Sequence, residues 1–213
     1  MSKVRAHISV SLDGYVAGPN QTLEHPLGED GERLHDWVVV LKSWREEHGM
    51  EGGEENANDA LLREVNANVG AEIMGRGKFG PPSRGPWGDD PWEGWWGDHP
   101  PFHKPVFVVT HYERDPLTLS DTTFTFVTDG IQSALAQARK AAGDRDVFIG
   151  GGALIINEFL AAGLLDTLEL HVSAVLLGGG ERLFEGVGPE VKLERVRVIE
   201  GPGVTHLKYR VLK

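Results

Sequence analysis

Short apolar, β-branched runs alternate along the chain with segments whose apolar residues recur every three or four positions. The runs predict strands over Val4–Leu12, Ala71–Met74, Pro105–Thr110, Thr123–Thr128, Val147–Ile149, Thr167–Leu176, Lys192–Glu200 and Val204–Leu212. Between them the spacing predicts helices. Glu32–Glu47 carries Leu34, Trp37, Val38, Leu41 and Trp44 on one face and stops at Gly49, although the Val38–Val40 run is strand-like. Asp59–Val69 has Leu61, Leu62, Val65 and Val69 as its stripe. Gly130–Ala142 is the clearest helix, with Ile131, Leu135 and Ala138 on one side and Asp129 and Gln132 at capping-box spacing. A last helix runs over Ala153–Ala162.

Strands alternating with helices predict an α/β fold, with a mostly parallel central sheet and helices on both faces. The last two strands are joined only by Gly201-Pro202-Gly203, which predicts an antiparallel C-terminal hairpin. Gly80–Pro101, rich in Gly, Pro, Asp and Trp, reads as a long loop. No repeat or linker divides the chain, so residues 1–213 are expected to form a single domain.

Composition narrows the function. The 213 residues are 40% hydrophobic and 25% charged, ordinary for a globular protein. The absence of cysteine excludes disulfides, thiol nucleophiles and cysteine-ligated metal sites, and suits a cytoplasmic location. A formal net charge of -11 argues against nucleic acid and anionic membrane as partners, and the N-terminus has no apolar signal-peptide core. An anionic ligand would need a local basic spot and oriented backbone N–H groups.

Three glycine clusters stand where strands end. In Val147-Phe148-Ile149-Gly150-Gly151-Gly152-Ala153 a strand runs into three glycines and a helix. This suits a phosphate cradle, because glycine admits close approach and the helix start offers free N–H groups; a tight turn with nothing bound explains it equally well. In Ile73-Met74-Gly75-Arg76-Gly77-Lys78-Phe79 a strand meets glycine beside two cations, which supply a phosphate's counter-charge or are simply solvated. Leu177-Gly178-Gly179-Gly180 reads as a sharp turn before the final hairpin.

Taken in order, Ser9–Gly18 (SVSLDGYVAG), Ile73–Phe79 (IMGRGKF), Val106–Thr110 (VFVVT) and Val147–Leu160 with its sequel through Phe184 resemble the dihydrofolate reductase superfamily. The closer resemblance is to the reductase domain of bacterial riboflavin biosynthesis, the RibD C-terminal domain. The resemblance implies a three-layer dihydrofolate-reductase-like fold and an NADPH-dependent reductase. Its substrate would be a small heterocyclic or carbonyl/imine compound. It also implies a homodimer, for which Thr167–Leu176 and the final hairpin are the candidate surface. Gly75 and Arg76 would sit at the cofactor's phosphates, with Arg76 toward the 2′-phosphate. Thr110 would touch the adenosine side. Gly150, Gly151, Gly152, Ala153 and Leu154 would hold the pyrophosphate, and the loop from Asp13 through Gly18 would cover the nicotinamide.

The family's acid on the first helix corresponds in position to Asp36, the expected catalytic proton donor; Asp13 is the weaker donor candidate and a substrate-side residue. The zinc deaminase that usually accompanies the riboflavin enzyme has no counterpart here. Of nine histidines, His99 and His103 are four apart, but Pro100 and Pro101 forbid a helix between them and no H-E-x-x-H pattern exists, so no metal is expected. His171 and His206 fall in strands and read as packed or surface groups. Trp87, Trp92, Trp95 and Trp96 must cover something: core or a second subunit first, and a flat substrate second, with Trp92 and Trp95 as the stacking residues. The alternative function is a nucleotide-binding or sensor module that keeps the fold without turnover.

Overall fold

The computed structural model describes residues 2–81, 85–88 and 92–213, so positions 82–84 and 89–91 of the expected Gly80–Pro101 loop lie outside the described residues. In chain order the elements are β1 (Val4–Ser11), β2 (Tyr15–Ala17), a 3-10 turn (Gly31–His35), α1 (Asp36–Val39), α2 (Lys42–Glu47), α3 (Ala57–Asn66), β3 (Val69–Gly75), α4 (Arg76–Phe79), β4 (Val106–Val109), β5 (Leu117–Leu119), β6 (Thr122–Val127), α5 (Gly130–Ala142), β7 (Asp146–Ile149), α6 (Ala153–Ala161), β8 (Thr167–Ser173), β9 (Glu181–Arg182), β10 (Lys192–Gly201) and β11 (Val204–Leu212). The result is a mixed α/β protein with a mostly parallel central sheet, and it divides into two compact units.

The first unit comprises Met1–Ala6 and Asn68–Leu165. Its strands run in the order β1–β7–β3–β4–β6–β5, all parallel except the edge strand β5. A parallel strand covered on both faces should be apolar throughout, and β3 is buried along its length with one exception in kind, Glu72. Helix α5 buries Ile131, Ala134, Leu135 and Ala138 and lies against β3, β4 and β7. A separate cluster of Met74, Phe79, Phe102, Val106, Val108 and Phe124 is covered by Trp87, Trp92 and Trp96. The capping-box spacing before α5 is not realised: Asp129 makes no side-chain cap.

The second unit comprises His7–Ala67 and Asp166–Lys213. Strands β10, β11 and β8 are antiparallel neighbours, and the end of β1 follows β8 in the order. The expected hairpin is present, turning at Pro202-Gly203. Its core joins Trp37, Val38, Leu41, Leu61, Leu62, Val65 and Val204.

The expected helix Glu32–Glu47 is broken into the 3-10 turn, α1 and α2. Leu41 is extended (φ -74, ψ 143), and Glu54 takes the backbone groups a continuous helix would use. Its N–H donates to Val40 O at 2.8 Å, and its carbonyl accepts from Lys42 N at 3.0 Å. The β-branched run Val38–Val40 has little intrinsic resistance to that interruption. Helix α3 starts earlier than its stripe suggests, because the Asn56 side chain caps the N–H groups of Asn58 and Asp59. It also ends earlier: Asn68 turns with φ 60, and Val69 opens β3.

Candidate functional site

Strands β7, β3 and β4 are parallel neighbours, so their carboxyl ends lie side by side in the first unit. There the two glycine turns meet. Gly75 N–H donates to Gly151 O at 2.9 Å, and Gly150 N–H donates to Ile73 O at 2.8 Å. Helix α6 begins directly beyond. Its N-cap, Gly152, has no side chain to cap with, and no acid stands in its first turn. The first N–H groups of a helix lack intrahelical acceptors. Ala153 and Leu154 therefore present donors at the positive end of the helix dipole, with the Leu154 side chain 64% exposed.

The three glycines answer to different demands. A Cβ on Gly150 would stand 2.0 Å from Glu72 Oε1 and 2.7 Å from Lys78 Nζ, so this glycine makes room for an ion pair. Gly151 has φ +95, where a side chain is strained. Gly152 leaves the helix start uncapped. Glu72, a lone carboxylate in the middle of a buried strand, is paired by Lys78 Nζ at 2.9 Å. Lys78 is thereby committed inside the unit, which matches neither of the two alternatives for it, phosphate counter-charge beside Arg76 or simply solvated cation. The Arg76 guanidinium lies 3.8 Å from the centre of the Trp87 ring.

The tryptophans hold α4 in place. Trp92 Nε1 donates to Phe79 O at 2.8 Å and Trp95 Nε1 to Lys78 O at 3.1 Å, satisfying carbonyls at the end of that short helix. Trp87 Nε1 donates to Tyr112 O at 3.1 Å. Packing, the first of the two readings, thus accounts for Trp92 and Trp95, and their indole N–H groups are already engaged. Thr110 is buried at the end of β4, and its hydroxyl accepts from Tyr112 N–H at 3.2 Å. Arg114, two residues further, lies over the rings of Phe126 (4.8 Å), Trp87 (4.9 Å) and Phe79 (5.9 Å).

In the second unit, Asp36 opens α1 and is exposed. Asp13 is fully engaged. It accepts from Ser11 Oγ at 2.6 Å, Leu177 N–H at 3.2 Å and Gly178 N–H at 2.7 Å. The Ser11 hydrogen bond, followed by those from the two backbone amides, outweighs desolvation and holds its carboxyl down to about 2. Asp13 is therefore unsuited to proton donation. It ties the β1–β2 turn to the Leu177–Gly180 turn. Gly18 N–H donates to Leu27 O at 2.7 Å, at the neck of a loop closed on itself by Glu29 N–H to Pro19 O at 2.9 Å.

His171 and His206 are packed groups, the first of the two alternatives, and they form a chain. His206 Nε2 meets Asn58 Oδ1 at 3.0 Å, while Asn58 Nδ2 donates to Pro202 O. His206 Nε2 is therefore the donor, and its Nδ1 accepts from His171 Nδ1 at 2.8 Å. His171 Nε2 in turn accepts from His7 Nδ1 at 3.2 Å. Trp37 covers both rings of the buried pair. Among the described residues no group of three or more His, Cys, Asp or Glu side chains is placed to hold a metal ion.

Two features of the first unit escaped the sequence reading. Glu72 was signalled by a single charge inside an apolar strand, six residues before Lys78. Arg114 carried no signal beyond being the one cation of an acidic turn, Tyr112-Glu113-Arg114-Asp115.

Residues 2–207 match the RibD C-terminal domain family. The chain belongs to that family. Among curated relatives, the uncharacterized protein YyaP of Bacillus subtilis (strain 168) is 33% identical over 93 residues, which are 44% of this chain and 46% of that protein. YwjB of the same organism is 31% identical over 90 residues, 42% of this chain and 49% of that one. The matches thus span about half the length of these relatives. Solved structures cover this RibD C-terminal domain chain almost entirely. A putative riboflavin biosynthesis protein from Shewanella sp. PV-4 superposes with a TM-score of 0.65 at 21% identity, covering 99% of both chains. The Thermotoga maritima diaminohydroxyphosphoribosylaminopyrimidine deaminase/5-amino-6-(5-phosphoribosylamino)uracil reductase gives 0.61 at 16%, covering 99% of this chain and 57% of that one. Dihydrofolate reductase from Enterococcus faecalis, complexed with NADP(H), gives 0.53 at 14%, covering 99% and 97%. The fold is dihydrofolate-reductase-like.

Proposed function

We propose that this chain is an NADPH-dependent reductase acting on a small heterocyclic or carbonyl/imine substrate. The observation that carries the reading is the meeting of the two glycine turns at an uncapped helix start, with Arg76 one residue beyond Gly75. Membership of the RibD C-terminal domain family supports it, as does the likeness to a reductase solved with NADP(H).

In this reading Ala153 and Leu154 N–H groups bind the pyrophosphate, Arg76 binds the 2′-phosphate, and Gly75 and Gly151 keep the two turns together. Thr110 holds the turn on the adenosine side. The bound nicotinamide supplies the hydride. The chain's own part is to orient the cofactor and exclude water. Asp36 remains the positional candidate for the proton, and its exposure favours delivery through water. The same exposure, with Asp13 engaged elsewhere, favours a second reading: a nucleotide-binding or sensor module without turnover.

We place the protein in the cytoplasm as a homodimer with no nucleic-acid partner. The absence of cysteine, the charge of -11 and the exposed apolar residues Leu193, Val196, Val198 and Leu212 of the outer hairpin support this.

Leu154→Glu tests the cradle. An acid in the first turn stabilises a helix by about 0.3–1 kcal/mol, so the fold is retained while the new charge repels the pyrophosphate. NADPH affinity, measured by fluorescence titration, is expected to fall at least tenfold. Unchanged affinity would falsify the cradle. Oxidation of bound NADPH by any member of a panel of pterins, aminouracil ribosides, quinones and aldehydes separates the reductase from the sensor.

A further inference from the structure

We propose that Asp129-Gly130 is a self-modification site, where the chain loses water to form a succinimide and reopens as an isoaspartyl linkage at the start of α5. The proposal does not depend on the cofactor reading above.

The chain contains Asp-Gly pairs at Asp13-Gly14, Asp30-Gly31 and Asp129-Gly130. Glycine puts no side chain in the way of a ring closing between an aspartate carboxyl carbon and the next backbone nitrogen. The carboxyl must be protonated, so that water can leave, and free to swing over its own main chain. The glycine N–H must not be held elsewhere. By sequence the pairs are alike; the fold separates them.

Asp13 is held at both groups. Its carboxylate accepts from Ser11 Oγ, Leu177 N–H and Gly178 N–H, and the Ser11 bond leads in holding it down to about 2. Gly14 N–H donates to Ser11 O at 3.0 Å. Asp30 is exposed, but Gly31 N–H donates to Gly28 O at 3.2 Å. Gly31 is buried, and a Cβ on it would stand 2.9 Å from Leu27 Cβ and 3.2 Å from Gly18 N, so its peptide has no room to turn. At Asp129 these ties are missing among the described residues. Its side chain is exposed and makes no cap to the helix it precedes. Gly130 opens α5, and the first N–H groups of a helix lack intrahelical acceptors. A Cβ there would meet only Gln132 Oε1, at 3.9 Å.

The Gly130 nitrogen attacks Asp129 Cγ. One C–N bond forms, and the amide proton leaves with the carboxyl OH as water. Water then reopens the ring. Attack at the side-chain carbonyl restores aspartate; attack at the main-chain carbonyl routes the backbone through the side chain and frees an α-carboxylate. No oxidant, metal or partner enters. The product inserts a methylene between two fixed points. Val127 ends β6 with its carbonyl accepting from Thr110 N–H at 3.0 Å, and Ile131 is the first buried residue of α5. The first turn of α5 must therefore shift.

The test holds the full chain at mildly acidic pH and body temperature for several weeks. Electron-transfer fragmentation of its tryptic peptides distinguishes isoaspartate from aspartate, and protein isoaspartyl methyltransferase with labelled S-adenosylmethionine counts the sites. Isoaspartate is expected at position 129 at least about tenfold above positions 13 and 30, since folded structure suppresses local rearrangement where backbone groups are held. In urea, where the fold is lost, the three positions should react within about threefold of one another. Asp129→Ser, which removes the carboxyl and keeps a good helix cap, should abolish methyl acceptance by the folded chain. No isoaspartate at 129, equal amounts at all three positions of the folded chain, a tenfold preference for 129 that persists in urea, or methyl acceptance retained by D129S overturns the proposal.

Discussion

Gly150 illustrates how one residue can look functional for the wrong reason. Three consecutive glycines invite a single explanation, close approach of a phosphate, yet the first is glycine because the Glu72 carboxylate fills the volume of its missing side chain. Glu72 is tolerated inside an apolar strand only because Lys78 reaches back to it. Gly150→Ala is therefore expected to displace the carboxylate and destabilise the protein by about 3 kcal/mol, the scale of a broken buried ion pair. Urea denaturation measures it. In the double variant Gly150→Ala/Glu72→Ala the clash is gone, so the loss should be well short of the sum of the single losses. Simple additivity would show that the two positions do not interact.

Among the elements, those read correctly owe their form to local pattern. Helix α5 matched its predicted span because an apolar stripe and a following glycine at positive φ coincide. The segment 32–47 failed because its interruption comes from Glu54, outside the window in which periodicity is read. The tryptophan segment was legible as covering something, but its indole N–H partners belong to the end of α4. Strand β10 is almost wholly exposed, and Leu193, Val196 and Val198 leave an apolar edge that an isolated chain would rarely present. If β10 carries the homodimer contact, Val198→Asp is expected to raise the dimer dissociation constant at least tenfold, without loss of melting temperature. Sedimentation equilibrium that finds wild type and variant equally monomeric would remove the dimer.

Across the whole protein, pH dependence follows from the buried histidine chain. Burial and the facing imidazoles hold His171 well below its ordinary value, and burial with Arg197 lowers His206 to about 4. The groups facing the pair are His7 on β1, His35 in the 3-10 turn, Arg197 on β10 and Asn58 on α3. The unfolded chain takes up protons near pH 6.5 while the folded chain does not. Stability is therefore full above about pH 6.5 and falls as pH drops toward 4, by up to about 1.4 kcal/mol per pH unit for each histidine. Urea midpoints between pH 7 and pH 4.5 should show this slope, and His206→Gln should remove one of its two contributions. A flat profile would mean that the imidazoles are not buried as neutral rings.

Periodicity, turn residues and motif order were enough for the α/β class, the parallel sheet, the closing hairpin and the family, because each is written in neighbouring residues. The glycine turns after β3 and β7 were identifiable one at a time, and so was Arg76. Their meeting was not, since 75 residues separate Gly75 from Gly150 and only sheet pairing brings them together. The same holds for the commitments of Lys78, Asp13 and the tryptophans: a side chain's partner is chosen by the folded neighbourhood, and spacing along the chain carries no record of it.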